Sequence, residues 1–195
     1  MYKPKQKEWS DDLSAFKGWI TEIKYDGERD LVIIKDGDVT IQRHEGRVKS
    51  AFYPEIIEYV KNSPLINQNI TLDGEVSVLV SDKKSDFPSV GNRQTVDPEK
   101  QKVLLKEKPV TYVAFDIVEK DGVDLSNKTH SERRAILESV GLPKIADYKE
   151  HGVVVVESGY EEVSIETIKE LDLEGVVKKN PNKSNDWIKL KNYDE

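Results

Sequence analysis

The chain has 195 residues, a formal net charge of −7 and no cysteine, which excludes disulfides and thiolate metal sites and fits a reducing compartment. No apolar run is long enough to span a bilayer, and residues 1–7 lack the apolar core of a signal peptide, so the chain is expected to be neither membrane-bound nor secreted. The acidic total, taken alone, argues against a nucleic-acid partner, but local patches decide contact, and Lys178, Lys179, Lys183, Lys189 and Lys191 make the C-terminal segment locally basic.

Residues 1–18 read as a polar leader, with Trp9, Leu13 and Phe16 to pin it to the body. Trp19-Ile20-Thr21-Glu22-Ile23 is aromatic, β-branched and partly alternating, as a strand is, and Leu31-Val32-Ile33-Ile34 reads as a second strand. Asp26-Gly27 and Asp36-Gly37 are turn signals, so 19–43, which includes Val39-Thr40-Ile41, is expected to form a three-stranded meander. Pro54 opens a helix carrying Ile56, Ile57 and Val60, and Asn62-Ser63-Pro64 ends it. Residues 69–80 form a strand interrupted by Asp73-Gly74-Glu75. The stretch 81–97 reads as a polar loop, and a short helix follows Pro98. Residues 110–118 form a buried strand ended by Asp121-Gly122. Thr129-His130-Ser131-Glu132 is a capping box, and Gly141 closes its helix. A strand at 153–156, a helix at 164–171 and strands around Val176-Val177 and Trp187-Ile188-Lys189-Leu190-Lys191 complete the chain. Strands outnumber helices without strictly alternating with them, which predicts an α+β domain of mainly antiparallel sheets flanked by helices.

Charge falls where these strands should be apolar. Lys24 ends one strand and Arg29 opens the next; Glu75 follows Asp73-Gly74; Glu174-Gly175 abuts Val176-Val177; Lys189 and Lys191 alternate with Ile188 and Leu190 and so face one side. Each alone is an ordinary surface charge or turn acid. Brought together in one cleft, they suit a phosphorylated ligand and a divalent metal, with lysine and arginine on phosphate oxygens and carboxylates on Mg²⁺. Lys24 as a free amine is a nucleophile, and neighbouring cations favour loss of its proton.

Lys24-Tyr25-Asp26-Gly27-Glu28-Arg29 resembles the K-x-D-G-x-R signature of the covalent nucleotidyltransferases: DNA ligases, RNA ligases and mRNA capping enzymes. Asp73-Gly74-Glu75, Tyr112-Val113-Ala114-Phe115-Asp116, Glu174-Gly175-Val176-Val177-Lys178 and Lys189-Leu190-Lys191 resemble the family's later motifs in order. Gln42-Arg43-His44, the segment Phe52-Tyr53-Pro54-Glu55-Ile56-Ile57 and Trp187 before the last motif are most similar to ATP-dependent DNA ligases. The resemblance implies an ATP-grasp-like nucleotidyltransferase fold, with ATP and Mg²⁺ as cofactors and Lys24 as the nucleophile that carries AMP as a phosphoramidate. It implies Glu22 against adenine with Ile23 in the same nucleotide-binding set, Arg29 and Glu75 near the ribose, and Phe115 stacked on the base. Lys189 and Lys191 would hold the α-phosphate, Glu174 with Glu75 the metal, and Arg43 a nucleotide or DNA phosphate.

With only 23 residues before Lys24, the extra N-terminal domain of NAD⁺-dependent ligases is not expected, which favours ATP. Relatives continue past the fifth motif into an OB-fold domain, whereas this chain ends at Tyr193-Asp194-Glu195. The expected organisation is therefore a leader at 1–18 and an adenylation domain at 19–195, with the OB-fold domain supplied from a longer chain and weak ligation by this chain alone. The implied partner is nicked double-stranded DNA, in replication, repair or recombination; the expected state is a monomer, and the expected location cytoplasm, nucleoid or a viral replication site. An RNA ligase or an mRNA capping guanylyltransferase shares the lysine chemistry, and a non-catalytic nucleotide or nucleic-acid binding module shares the fold.

Overall fold

The structure, a computed structural model, describes residues 3–9, 13–159 and 161–192; parts of the expected leader (1–2 and 10–12) and the terminal 193–195 lie outside the described residues. In chain order, β1 (Lys5–Lys7) and β2 (Ile20–Ile23) precede a hairpin of β3 (Glu28–Lys35) and β4 (Asp38–Gln42). Asp36 and Gly37 both take positive φ, 52° and 79°, as the tight hairpin turn requires. Helix α1 (Pro54–Lys61) starts on its proline and buries Ile56 and Val60. Then come β5 (Ile70–Ser77), α2 (Phe87–Asn92) and α3 (Pro98–Glu107), followed by β6 (Thr111–Lys120) and β7 (Val123–Asp124). Helix α4 (His130–Ser139) has the full reciprocal capping box of Thr129 and Glu132. The chain closes with β8 (Val153–Val155), α5 (Ile165–Glu170) capped by Ser164, β9 (Gly175–Lys179) and β10 (Trp187–Lys191).

Two sheets result. One runs β1-β10-β9-β2; the other runs β4-β3-β5-β6-β7, with β8 also beside β6. Only β1–β10 and β6–β8 are parallel pairs among the described strands, so the α+β, mainly antiparallel expectation holds. The main core lies between the larger sheet and helices α1 and α4, around Val32, Ile56, Leu72, Tyr112 and Leu137. A second cluster packs Ile168, Val176, Ile188 and Leu190, with Trp9, Leu13, Phe16 and Trp19 laid against it.

The expected meander over 19–43 is corrected. β2 pairs with β9, Glu22 opposite Val177, in the other sheet, and the 24–27 segment crosses from one sheet to the other instead of closing a hairpin. Gly27 does not take a positive φ. It is glycine because a Cβ there would sit 2.2 Å from the Val76 carbonyl oxygen and 2.7 Å from Ser77 Oγ. The Asp26 N–H is donated to Ser85 Oγ (2.7 Å), far along the chain. A local Asp-Gly signal carries no information about such a distant partner.

Three further elements escape the sequence reading, the two-residue β7 paired with the end of β6 among them. Helix α2 sits inside the expected 81–97 loop, where a polar average hides the buried Ser89, Val90 and Arg93. Strand β1 is Lys-Gln-Lys, exposed throughout, and rests on backbone pairing with β10 instead of an apolar pattern.

Asp116, at the end of the Tyr112-to-Asp116 motif, turns away from the cleft to grip Arg133. The guanidinium donates to both carboxylate oxygens at 2.9 and 3.0 Å and also to the carbonyls of Lys128 and Ser184. Both side chains are buried. Asp116→Ala is expected to cost about 3–5 kcal/mol, because it strands a buried guanidinium; urea unfolding of the two proteins measures it.

Candidate active site

Lys24 follows β2 at the seam between the sheets. Its N–H donates to the Gly175 carbonyl at 2.9 Å, and its ammonium pairs with Glu174 Oε1. It borders a cavity of about 340 Å³, whose walls include Glu22, Ile23, Arg29, Glu75, Phe115 and Lys189. On its other side, Lys24 and Glu174 border a second hollow of about 330 Å³ with Lys83 and Lys84. Lys24 thus stands between two openings.

The cavity's inner end is an arrangement of rings and cations. Phe115 and Trp187 meet edge to face, centroids 6.0 Å apart. The Lys179 ammonium lies 4.1 Å from the Trp187 ring centroid and 4.9 Å from that of Phe115, and the Arg29 guanidinium carbon lies 5.2 Å from Phe115, a geometry favourable to cation–π attraction. Glu22 is buried beneath them. Its carboxylate accepts from Lys179 Nζ at 2.5 Å and from Ser158 Oγ at 2.9 Å. Behind it, burial with Lys179, Arg133 and Arg134 lowers His130 to about 2, so this ring stays neutral. Arg29 is held by a fork of two bonds to Asp73, at 3.1 and 2.8 Å. Burial alone would raise Asp73, but His44 and Arg29 together hold it below the usual carboxylate range.

Glu75, on β5, is half-buried. Loss of water pushes its carboxyl up to about 8, with Lys24 drawing it down and Glu174 adding to the rise. Burial also raises Glu174, against the pull of Lys24. Among the described residues no three acids or histidines converge as a ready-made metal cage. Glu174 Oε2 is buried without a hydrogen-bond partner, and Glu75 feels the Glu174 charge. Two such carboxylates fit Mg²⁺, which commonly takes one or two carboxylates and completes its shell with phosphate oxygens and water.

Glu75 yields a pH test. Its folded value, about 8, lies above the ordinary 4.5, so between those limits the folded chain holds more of the proton than the unfolded chain does. Stability from this group therefore falls as pH rises through that window. Glu75→Gln is expected to flatten the decline and to stabilise the nucleotide-free chain at pH 8 by roughly 1–3 kcal/mol. Thermal unfolding of both proteins from pH 5 to about 9 checks it.

Of the residues singled out in the sequence, Glu22, Ile23, Lys24, Arg29, Glu75, Phe115 and Lys189 share the cavity, and Glu174 joins it through Lys24. Lys191 faces the Glu174 and Asp26 carboxylates electrostatically. Arg43 is elsewhere: it donates to Glu28 Oε1 at 2.8 Å and lies 4.0 Å from Asp30. Glu28 itself is pinned by Arg43, Lys49 and Tyr53. The cations expected around Lys24 are not its nearest partner; the Glu174 carboxylate is. Sequence reasoning missed Lys179 and Trp187 as cavity walls. Strand alternation held the signal, since Lys179 shares a face of β9 with Val177, and Trp187 a face of β10 with Lys189.

Comparison with known proteins comes from three directions. The family described as "ATP dependent DNA ligase domain" matches residues 4–191. The bifunctional non-homologous end joining protein LigD of Bacillus subtilis is 28% identical over 192 residues, covering 90% of this chain and 31% of LigD. The SPbeta prophage-derived DNA ligase-like protein LigB of the same organism is 30% identical over 186 residues, covering 91% of this chain and 63% of LigB. This chain therefore spans less than two thirds of either relative. A structure of mycobacterial DNA ligase D complexed with ATP and MES superposes with a TM-score of 0.68 at 24% identity, covering 99% of this chain and 61% of that one, and shows the shared fold. Among the described residues no helix is long and apolar enough to cross a membrane.

Proposed function

Because the chain belongs to the ATP-dependent DNA ligase domain family, a family of enzymes that use ATP, we propose that Lys24 is its nucleophile. The Lys24 amine attacks the α-phosphorus of ATP, a nitrogen–phosphorus bond forms as pyrophosphate leaves, and AMP remains on Lys24 as a phosphoramidate. The 5′-phosphate of a nick in double-stranded DNA then takes the AMP and frees Lys24; the 3′-hydroxyl displaces AMP and seals the strand. The observation that carries this reading is the position of Lys24: hydrogen-bonded to Glu174 at the wall of a cavity lined by aromatic rings, an arginine and further lysines.

The roles follow from the neighbours. The adenine ring lies on Phe115, with Glu22 and Ile23 at its edge and Lys179 holding the Glu22 carboxylate in place. Arg29, kept by Asp73, and Glu75 serve the ribose side. Glu174, already bonded to the ammonium, takes the proton that Nζ must lose before attack. Lys189 and Lys191 neutralise charge growing on the α-phosphate. Glu174 Oε2 and Glu75 would hold Mg²⁺, which when bound supplies charge stabilisation to the phosphates. Arg43, away from the cavity on Glu28, is assigned to a DNA phosphate, and clamping of the duplex to an OB-fold domain working with this one.

The test is a labelled nicked duplex with ATP and Mg²⁺, resolved for AMP-capped and sealed strands. The reading expects AMP transfer to a DNA nick. Preference for a nicked RNA, or for GTP over ATP, would instead favour an RNA ligase or a capping enzyme, which the family match does not support.

A further inference from the structure

We propose that the groove walled by Val80 and Tyr148 receives a lysine- or arginine-bearing segment of a partner protein. Two adjoining hollows, of about 740 and 390 Å³, share Val80, Tyr148, Lys149 and Glu150 and so form one trough. It lies at the Thr111 end of β6, four residues or roughly 13 Å along the strand from Phe115, and is separate from the nucleotide cavity, with which it shares no wall residue.

Its walls suit a cationic side chain on an aliphatic stem. Leu79, Pro109 and Val110 supply apolar surface, and Val80 is 59% exposed. Two aromatic rings are fixed in place: Tyr148 donates to the Val80 carbonyl at 3.0 Å, and the Tyr59 hydroxyl bonds His151 Nδ1 at 3.2 Å. The Tyr148 ring already has the Lys149 ammonium 6.0 Å from its centroid, so a cation finds a ring here. Around the rings stand the carboxylates of Glu58, Asp82, Asp147 and Glu150, and Lys149 is the one lysine or arginine among the lining residues. A fifth acid, Glu55, is committed to Arg93 at 2.6 Å and to the Val110 N–H at 3.0 Å.

Charge selects the occupant. A nucleic-acid strand would set its phosphates against four carboxylates, and among the described residues no three or more acids and histidines gather here or elsewhere as a metal site. A basic peptide places ammonium or guanidinium groups among the carboxylates and rings and lays its methylene stems on Leu79 and Val110.

The experiment uses the full chain and a fluorescein-labelled peptide of about twelve residues in which lysine and leucine alternate, followed by fluorescence anisotropy. The groove variant is Glu58→Lys with Glu150→Lys. The control, Glu107→Lys with Glu161→Lys, makes the same net charge change at exposed positions outside the trough. Saturable binding weakened by about tenfold or more in the groove variant and less than about twofold in the control is expected, with none for the peptide carrying glutamate in place of lysine. Equal losses in both variants, or binding that never saturates, would reduce the effect to bulk charge and overturn the proposal. So would a dimer in sedimentation that only the groove variant breaks, since a second copy would then be the occupant.

Discussion

Lys24→Arg is expected to leave the chain folded and able to bind ATP while lowering AMP transfer by on the order of 10⁴-fold or more, the loss typical of removing a covalent nucleophile. Arginine is the informative replacement. It keeps a cation beside Glu174, which is almost fully buried, with its side chain 6% exposed, so the seam retains its charge balance. A guanidinium stays protonated at any working pH and offers no lone pair to phosphorus. Lys24→Ala removes the nucleophile too, but it also strands the Glu174 carboxylate and is expected to lose stability. Labelled ATP followed on a denaturing gel reads the adduct. The rise in melting temperature with added ATP reads binding separately, because ligand held by the folded state stabilises it. A Lys24→Arg protein that gains from ATP yet takes no label separates chemistry from binding.

Gly175→Ala is expected to be the most damaging small substitution near the site. Gly175 has φ of 152°, and an added Cβ would stand 2.0 Å from the Leu190 carbonyl oxygen and 2.9 Å from Lys191 Cα. Both obstacles are backbone of the neighbouring strand, so no side chain can swing aside. Relief requires β9 and β10 to part, and these strands carry Lys179, Trp187 and Lys189 into the cavity. Gly175 also accepts the Lys24 N–H through its carbonyl and follows Glu174 directly. Strained backbone and overpacking together cost roughly 3–5 kcal/mol, which lowers the melting temperature by about 10 °C for a chain of this size, and AMP transfer is expected to fall with it. Gly91→Ala is the control. It lies within helix α2 with nothing within 4 Å of the added Cβ, and is expected to change stability by less than about 1 kcal/mol.

Gly175 and Gly27 also illustrate what the sequence could convey. Local signals were read well where the interaction is local: the capping box of Thr129 and Glu132, the Asp36-Gly37 hairpin, and the alternation that sets Lys189 apart from Ile188. The family motifs place Glu22, Arg29, Glu75 and Phe115 in one set, and in the structure those side chains line one cavity. Partner choice was illegible. β2 looks like the first strand of a meander because its neighbours in sequence are strands, yet its backbone finds β9, more than a hundred residues away. The Glu174 partner of Lys24 likewise lies 150 residues along the chain, so their direct pairing has no local signature. Arg43 is drawn off the Lys24 cavity by carboxylate partners on β3, Glu28 and Asp30.

The most direct test is to incubate the purified chain with ATP and Mg²⁺, digest it under conditions that preserve a phosphoramidate, and map the modified peptide by mass spectrometry. One AMP on the peptide containing Lys24, lost when pyrophosphate is added back, is the predicted result. AMP on a different residue, or saturating ATP binding with no covalent AMP even when an OB-fold domain is supplied, would contradict the account.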